Sequence, residues 1–157
     1  MEREIAKLLK KYNLKISTAE SCTGGLIAAA LVNVPGISAQ FEEGYITYSN
    51  EAKERLLGVS HKTLEQYGAV SVQTAEEMAQ GARRAAHTDL SVISTGIAGP
   101  DGGTREKPVG LVYLACAYQN GVNVERHVFD GDRQEIRRAS VEAALKLVIQ
   151  VIQQEYK

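Results

Sequence analysis

A serine followed closely by two glycines is the feature of this sequence with the clearest chemical potential. Ser21 lies between a short apolar run, residues 14–16, and a longer apolar segment of helical character, residues 26–32. We therefore expect Ser21 at the point where a strand turns into a helix, which would expose its hydroxyl at one edge of a sheet. The first turn of a helix also carries N–H groups without partners in the helix, and these can bind negative charge.

A serine is a weak nucleophile unless a base lies beside it. Ser21 could instead cap the following helix, as serine often does. Gly24 and Gly25 favour a ligand site, since glycines allow a bound molecule to approach the backbone closely. The G-x-S-x-G pattern is not met, because Ala19 occupies the position of its first glycine. The three histidines show no spacing that suggests a Ser-His-Asp triad.

Lys53 is the candidate base. Asn50 is the expected N-cap of the helix that contains Lys53, so the amine would lie in the first helical turn, where the helix dipole favours its neutral form. Burial would favour the neutral form further, and a neutral lysine can accept the proton of Ser21, as in other Ser-Lys enzymes. Tyr48, predicted at the end of the preceding strand, could relay a proton or orient Lys53. The alternatives are a surface lysine and a half-buried strand tyrosine.

Two further segments could bind an anionic group. Residues 95–104 form a glycine-rich loop after a strand of buried type, and its N–H groups could form an anion cradle, although no Walker or G-x-G-x-x-G pattern is present. Arg133 and Arg137 share one face at the start of the last helix and could clamp a phosphate. A long turn, and a solvated helix face paired with Glu135 or Asp132, are the alternatives.

Cys22 is a rival nucleophile, since a helix N-terminus lowers the pKa of a thiol. No histidine is evidently placed to assist it, and a buried cysteine packed on the sheet is the simpler interpretation. Cys22 and Cys116 are expected to be free thiols, because the chain shows no secretory signal. Neither the histidines nor the aspartates have metal-ligand spacing, so we expect no metal.

Hydrophobic periodicity indicates the elements that must position these residues. Helices are predicted at about 2–12, 23–33, 51–57, 61–67, 133–154 and from about 74, where Thr74 and Glu77 have capping-box spacing. Strands are predicted at about 14–19, 44–48, 90–95, 109–118 and 122–129. Helices and strands alternate first and a hairpin comes late, which predicts one α/β domain over residues 1–157, with three α/β/α layers and a mixed, mostly parallel sheet.

Composition narrows the class of protein. The net charge is −1, from 18 basic and 19 acidic residues, whereas nucleic-acid binders usually carry a basic excess. No run approaches the roughly 18 apolar residues of a membrane helix, and no signal peptide is evident. We therefore expect a soluble, cytoplasmic protein that binds neither nucleic acid nor membrane.

Five segments together resemble the CinA C-terminal domain family, the nicotinamide-nucleotide amidases. These segments are residues 18–25, 48–53, 68–79, 94–104 and 107–110. The resemblance covers nearly the whole chain, and the combination of motifs is specific although each glycine run alone is weak evidence. Many members also carry an N-terminal domain linked to competence or pyrophosphatase activity. No such domain is evident in these 157 residues, so we do not expect those roles here.

The resemblance implies hydrolysis of the carboxamide of nicotinamide mononucleotide to nicotinate mononucleotide and ammonia, a step of pyridine nucleotide salvage that needs no cofactor. It implies Ser21 as nucleophile and Lys53 as base, with Tyr48 and Thr95 assisting, and a homodimer. The residues expected to contact substrate are Cys22, Thr23, Gly24, Gly25, Gly96, Gly99, Gly102, Gly103 and either Arg133 or Arg137.

Two alternatives stay open from the sequence. The same motifs would suit a non-catalytic nucleotide-binding module, because binding also needs the glycine loops. A hydrolase that uses the Cys22 thiol would differ from a Ser-Lys amidase in which of Cys22 and Ser21 is essential.

Overall fold

The computed structural model describes all 157 residues, and every predicted helix and strand is present. The helices are α1 (Glu2–Lys11), α2 (Leu26–Val32), α3 (Asn50–Leu57), α4 (His61–Tyr67), α5 (Val72–Ala86) and α6 (Arg133–Glu155). The strands are β1 (Ile16–Glu20), β2 (Phe41–Ile46), β3 (Leu90–Gly96), β4 (Leu111–Tyr118) and β5 (Gly121–Val128), and a short 3₁₀ turn, Ile37–Ala39, precedes β2.

The five strands form one sheet in the order β2-β1-β3-β4-β5. Strand β1 is parallel to both of its neighbours, whereas β4 is antiparallel to β3 and β5. Only β4 therefore runs against the other four, which confirms the predicted mixed and mostly parallel sheet. Glu20 pairs with Ile46 on one side and Ser94 on the other, so the carboxyl ends of β1, β2 and β3 meet at one edge.

Helices cover both faces of the sheet, as predicted. In the central strand, Val92 packs into the core shared with α1, α2 and α6, while Ile93 packs into the core beneath α3, α4 and α5. Successive residues of a strand face opposite sides, so one buried strand serves both cores. The predicted small-residue stripe of α5 is buried throughout; its members are Ala75, Met78, Ala79, Ala82 and Ala86. Close packing follows, and a Cβ on Gly81 would overlap the Leu57 carbonyl oxygen.

Two predicted helix caps are wrong. Ser49, not Asn50, caps α3, because its Oγ accepts the Ala52 N–H at 3.1 Å. Ser71 caps α5 in the same way, by accepting the N–H of Thr74 at 3.1 Å, so Thr74 lies inside the helix and forms no capping box. Sequence spacing alone could not separate these positions, because several cap-forming residues precede each helix.

Two predicted boundaries near Ser21 also shift. Helix α2 begins at Leu26 rather than near residue 23, since Gly24 and Gly25 take positive φ values of 58° and 103°. Strand β2 ends at Ile46, so Tyr48 lies beyond the strand and not at its end. Both shifts lengthen the loops at the sheet edge that carries the candidate site.

Candidate active site

The hydroxyl of Ser21 and the amine of Lys53 lie together at the carboxyl edge of the sheet. Lys53 Nζ is 3.4 Å from Ser21 Oγ, and it donates a hydrogen bond to the Thr47 carbonyl at 2.7 Å. Ser21 follows β1 and Thr47 follows β2, while Lys53 reaches the same place from the first turns of α3. The parallel pairing of β1 with β2 therefore brings the candidate nucleophile and the candidate base together across 32 residues of sequence.

The environment of Lys53 favours a neutral amine. Only 1% of the residue is exposed, and no carboxylate lies within ion-pair distance of Nζ. Burial lowers the pKa of Lys53 below its ordinary value of 10.5, against a smaller opposing influence of Cys22. A neutral amine has two hydrogens and one lone pair, so it can donate to the Thr47 carbonyl while its lone pair accepts the Ser21 proton. The distance of 3.4 Å is long for a hydrogen bond, as is common at catalytic sites without substrate.

Glu20 is a site residue that the sequence analysis missed. Its side chain is buried, and its carboxylate accepts hydrogen bonds from the Ile27 N–H at 2.8 Å, the Ala28 N–H at 3.1 Å and the Thr23 hydroxyl at 2.5 Å. The first free N–H groups of α2 are thus bound by the protein itself, and the expectation that they face a ligand is wrong. The available signal was an acidic residue at the end of a buried strand, a few residues before a helix whose start favours negative charge.

We expect Glu20→Gln to destabilise the fold. An amide keeps one acceptor oxygen but turns its NH₂ group toward a donor, so one buried N–H or O–H group loses its partner. Such a loss costs about 1–3 kcal/mol of unfolding free energy, measurable by urea denaturation. Glu51→Gln, at an exposed position in the first turn of α3, is the control and should change stability by less than about 0.5 kcal/mol. Equal stability of Glu20→Gln and the wild type would contradict the assigned capping role.

Several backbone N–H groups in the turn after Ser21 have no acceptor within the chain. The Gly24 N–H donates to the Ser21 carbonyl at 3.0 Å, and the Ser21 N–H donates to Ser94. The N–H groups of Cys22, Thr23 and Gly25 have no acceptor within the chain. Cys22 directly follows Ser21, so its N–H is the unpartnered donor nearest to the Ser21 hydroxyl along the chain.

The Cys22 thiol lacks the properties of a nucleophile. Burial raises the pKa of Cys22 to about 11, so the side chain is a protonated thiol at neutral pH. The expected lowering by the helix N-terminus does not occur, because desolvation outweighs it and Glu20 occupies that terminus. Cys22 packs into the core on the α6 side of the sheet, and both Cys22 and Cys116 are free thiols.

Arg133 joins two of the predicted substrate-binding segments. It donates to the Gly99 carbonyl at 2.7 Å through Nη1 and to the Tyr48 hydroxyl at 2.9 Å through Nη2. Tyr48 is 62% exposed, and its hydroxyl bonds to this guanidinium instead of to Lys53. The structure therefore places Tyr48 at the rim of the site, beside the glycine loop.

The remaining predicted residues also gather at this edge of the sheet. Thr95 is buried, and its hydroxyl donates to the Ala69 carbonyl at 2.7 Å, without a hydrogen bond to Ser21 or Lys53. The N–H groups of five loop residues have no acceptor in the chain; they are Ala98, Gly99, Asp101, Gly102 and Gly103. Gly102 and Gly103 are exposed, whereas Gly96 and Gly99 pack closely against Val112 and Val109.

Arg137 contacts the Ser21 turn itself. Its Nε donates to the Cys22 carbonyl at 3.0 Å, and its Nη2 donates to the Thr23 carbonyl at 3.1 Å. Arg133 and Arg137 thus lie on one face of α6, as predicted, and both reach the site. Two guanidinium groups reach this region, and its one buried carboxylate, Glu20, is already hydrogen bonded, so the site would favour an anionic ligand.

The largest surface cleft, of about 640 Å³, lies at the opposite edge of the sheet and is lined by Arg83, Arg84 and His87 among others. It contains none of the residues described above. No group of three or more His, Cys, Asp or Glu side chains is arranged to hold a metal ion. None of the helices combines the length and the apolar character that a bilayer crossing requires.

Solved structures of similar proteins share this fold. A competence/damage inducible protein from Agrobacterium tumefaciens superposes with a TM-score of 0.87 at 46% identity, over 94% of this chain and 95% of that protein. A competence damage-inducible protein A from Klebsiella pneumoniae superposes with a TM-score of 0.94 at 33% identity, over 99% and 96% of the two chains.

Curated proteins of similar sequence carry related names. The chain is 50% identical over 152 residues to a protein of Clostridium beijerinckii named as competence-damage inducible, covering 97% of this chain and 37% of that protein. It is 55% identical over 148 residues to a protein of the same name from Acetivibrio thermocellus, covering 94% and 36%. The chain thus spans a little over a third of the length of these relatives. The family model described as the CinA C-terminal domain matches residues 1–152, and the chain belongs to this family.

Proposed function

We propose that this protein is an amidohydrolase that deamidates nicotinamide mononucleotide, with Ser21 as nucleophile and Lys53 as base. The observation that carries the proposal is the buried amine of Lys53, unpaired with any carboxylate, 3.4 Å from the Ser21 hydroxyl. A lysine with no ion-pair partner is costly to bury while charged, and its neutral form is the form that general-base catalysis needs.

In the first half-reaction, Ser21 Oγ attacks the carboxamide carbon and passes its proton to Lys53 Nζ. The carbonyl oxygen becomes an oxyanion, which the Cys22 N–H stabilises by a hydrogen bond. As the tetrahedral intermediate collapses, the C–N bond breaks and the Lys53 ammonium returns its proton to the leaving group, which departs as ammonia. An ester between Ser21 and the nicotinoyl group remains.

In the second half-reaction, water attacks this ester while Lys53 accepts a proton from the water. The second tetrahedral intermediate collapses with cleavage of the bond to Ser21 Oγ, which regains its proton from Lys53. Nicotinate mononucleotide is released. Atoms and protons balance without a metal or an organic cofactor, and each proton transfer uses the same amine.

The residues around the dyad suit a mononucleotide. Arg133 is exposed and uses two of its five N–H donors within the protein, which leaves donors for a phosphate. The loop residues Gly102 and Gly103 are exposed and their N–H groups are unpartnered, so they can add further donors. We assign phosphate binding to Arg133 and this loop, with Tyr48 as the rim residue that Arg133 holds.

The test is an assay of ammonia and nicotinate mononucleotide with purified protein. We expect the two products in equal amounts from nicotinamide mononucleotide, and much slower release from nicotinamide riboside, which lacks the phosphate. Calorimetry on the same samples measures binding. Binding of the mononucleotide without ammonia release would replace this proposal by the non-catalytic module, and absence of both binding and release would exclude both.

A further inference from the structure

Three successive peptide groups after Ser21 are each fixed by their carbonyl oxygens. The Ser21 carbonyl accepts the Gly24 N–H at 3.0 Å, and the Thr23 carbonyl accepts the Leu26 N–H at 3.1 Å. Arg137 supplies the remaining bonds, to the Cys22 carbonyl at 3.0 Å and a second one to the Thr23 carbonyl at 3.1 Å. One guanidinium thus ties two adjacent peptide planes of the nucleophile turn to α6.

Planar peptide groups connect these contacts to the Cys22 N–H, which is the proposed donor to the oxyanion. A peptide group is planar, and its C=O and N–H point in opposite directions. By holding the Thr23 carbonyl, Arg137 fixes the Gly24 N–H, which holds the Ser21 carbonyl. The Ser21 carbonyl belongs to the same plane as the Cys22 N–H, so the direction of that donor depends on Arg137 although the two groups do not touch.

We propose that Arg137 is a positioning residue, which holds the turn after Ser21 so that the Cys22 N–H faces the oxyanion of the reaction. This inference rests on the proposed amidase function. It separates the roles of the two arginines that share a face of α6: Arg133 contacts the substrate, whereas Arg137 acts on the turn. The half-buried position of Arg137 and its two bonds to carbonyl groups support this division.

The test compares Arg137→Ala and Arg137→Lys with Arg138→Ala as the matched control. Arg138 is the next residue of the helix, is exposed and makes no hydrogen bond or ion pair in the structure. Misplacing an oxyanion donor costs about 100-fold in rate, so we expect kcat of Arg137→Ala to fall by about that factor while KM for nicotinamide mononucleotide stays unchanged. Arg137→Lys should also lose kcat, because one ammonium cannot reproduce the planar fork. Arg138→Ala should behave as the wild type.

Two further measurements separate positioning from a general loss of structure. Millimolar guanidinium should restore part of kcat in Arg137→Ala and not in Arg138→Ala. Hydrogen exchange, followed by mass spectrometry, should become faster in residues 18–25 of Arg137→Ala, where the Gly24 N–H loses its fixed geometry. If Arg137→Ala does not fold, the same kcat and exchange measurements on Arg137→Lys decide.

Several outcomes would overturn the proposal. A raised KM with intact kcat would make Arg137 a substrate ligand, and wild-type kinetics would leave it without a role in the reaction. A fall in kcat without faster exchange in residues 18–25 would show that Arg137 does not act by holding the turn. If the wild type releases no ammonia, the proposed amidase function fails. Independently of that result, unchanged hydrogen exchange in residues 18–25 of Arg137→Ala would show that Arg137 does not hold the turn.

Discussion

Ser21→Ala is expected to remove ammonia release from nicotinamide mononucleotide while leaving the fold intact. Loss of a serine nucleophile typically lowers kcat by roughly 10⁴–10⁶-fold. The fold should survive, because Ser21 is half-buried and the one hydrogen bond of its hydroxyl is with Lys53. The measurements are a continuous ammonia assay and the midpoint of thermal unfolding followed by circular dichroism.

Ser38→Ala, at an exposed serine outside the site, is the control and should retain wild-type turnover. The thiol alternative predicts a different pattern, in which Cys22→Ala is inactive and Ser21→Ala keeps part of its activity. Near-normal turnover by Ser21→Ala would contradict the Ser-Lys mechanism.

Lys53→Met is the second variant for which we expect a large loss. Methionine has a similar length and no amine, so Ser21 keeps its place but loses the group that takes its proton. General-base catalysis is worth roughly 10²–10⁴-fold, and since Lys53 serves every proton transfer of the proposed mechanism we expect a loss at the upper end of that range. Lys53→Arg should be equally impaired, because a guanidinium stays protonated at any working pH. Lys62→Met, at an exposed lysine of α4, is the control and should leave turnover unchanged.

The pH dependence of the wild type follows from the same amine. The proposed mechanism needs the neutral amine, so kcat/KM should rise with pH through the lowered pKa of Lys53 and fall below it, with a midpoint under 10.5. The folded protein releases this proton at lower pH than the unfolded chain does. As pH falls from 10.5 toward the folded pKa, the wild type should therefore lose unfolding free energy relative to Lys53→Met.

The corresponding experiment is urea unfolding of both proteins at neutral pH and near pH 10. The stability difference between Lys53→Met and the wild type should be larger at neutral pH. A stability difference that does not change with pH would show that Lys53 has the same pKa in the folded and unfolded chains. That result would contradict the assignment of Lys53 as a neutral base.

The order and type of the helices and strands were determined by the sequence itself, because hydrophobic periodicity is a local property. The stripe of small residues on α5 shows this, since its spacing of three and four residues predicts a buried face without knowledge of the partner. The position of Ser21 between a strand and a helix, and the glycine-rich loop of residues 95–104, were likewise readable. The same patterns did not resolve single positions, as the caps at Ser49 and Ser71 show, because neighbouring polar residues have similar capping ability.

The chemistry of the site was decided by the tertiary structure. Lys53 meets Ser21 only because β1 pairs with β2, and Arg137 reaches the Ser21 turn from more than a hundred residues away because α6 packs on the same face as α2. Local pattern contains no information on such contacts between distant segments. Local pattern does not predict burial either, which raises the pKa of Cys22 and lowers that of Lys53. Nor does it predict that the Glu20 carboxylate binds the first N–H groups of α2. Desolvation depends on every element packed around a group, so only the assembled fold determines which of two adjacent side chains, Ser21 or Cys22, lies beside a usable base.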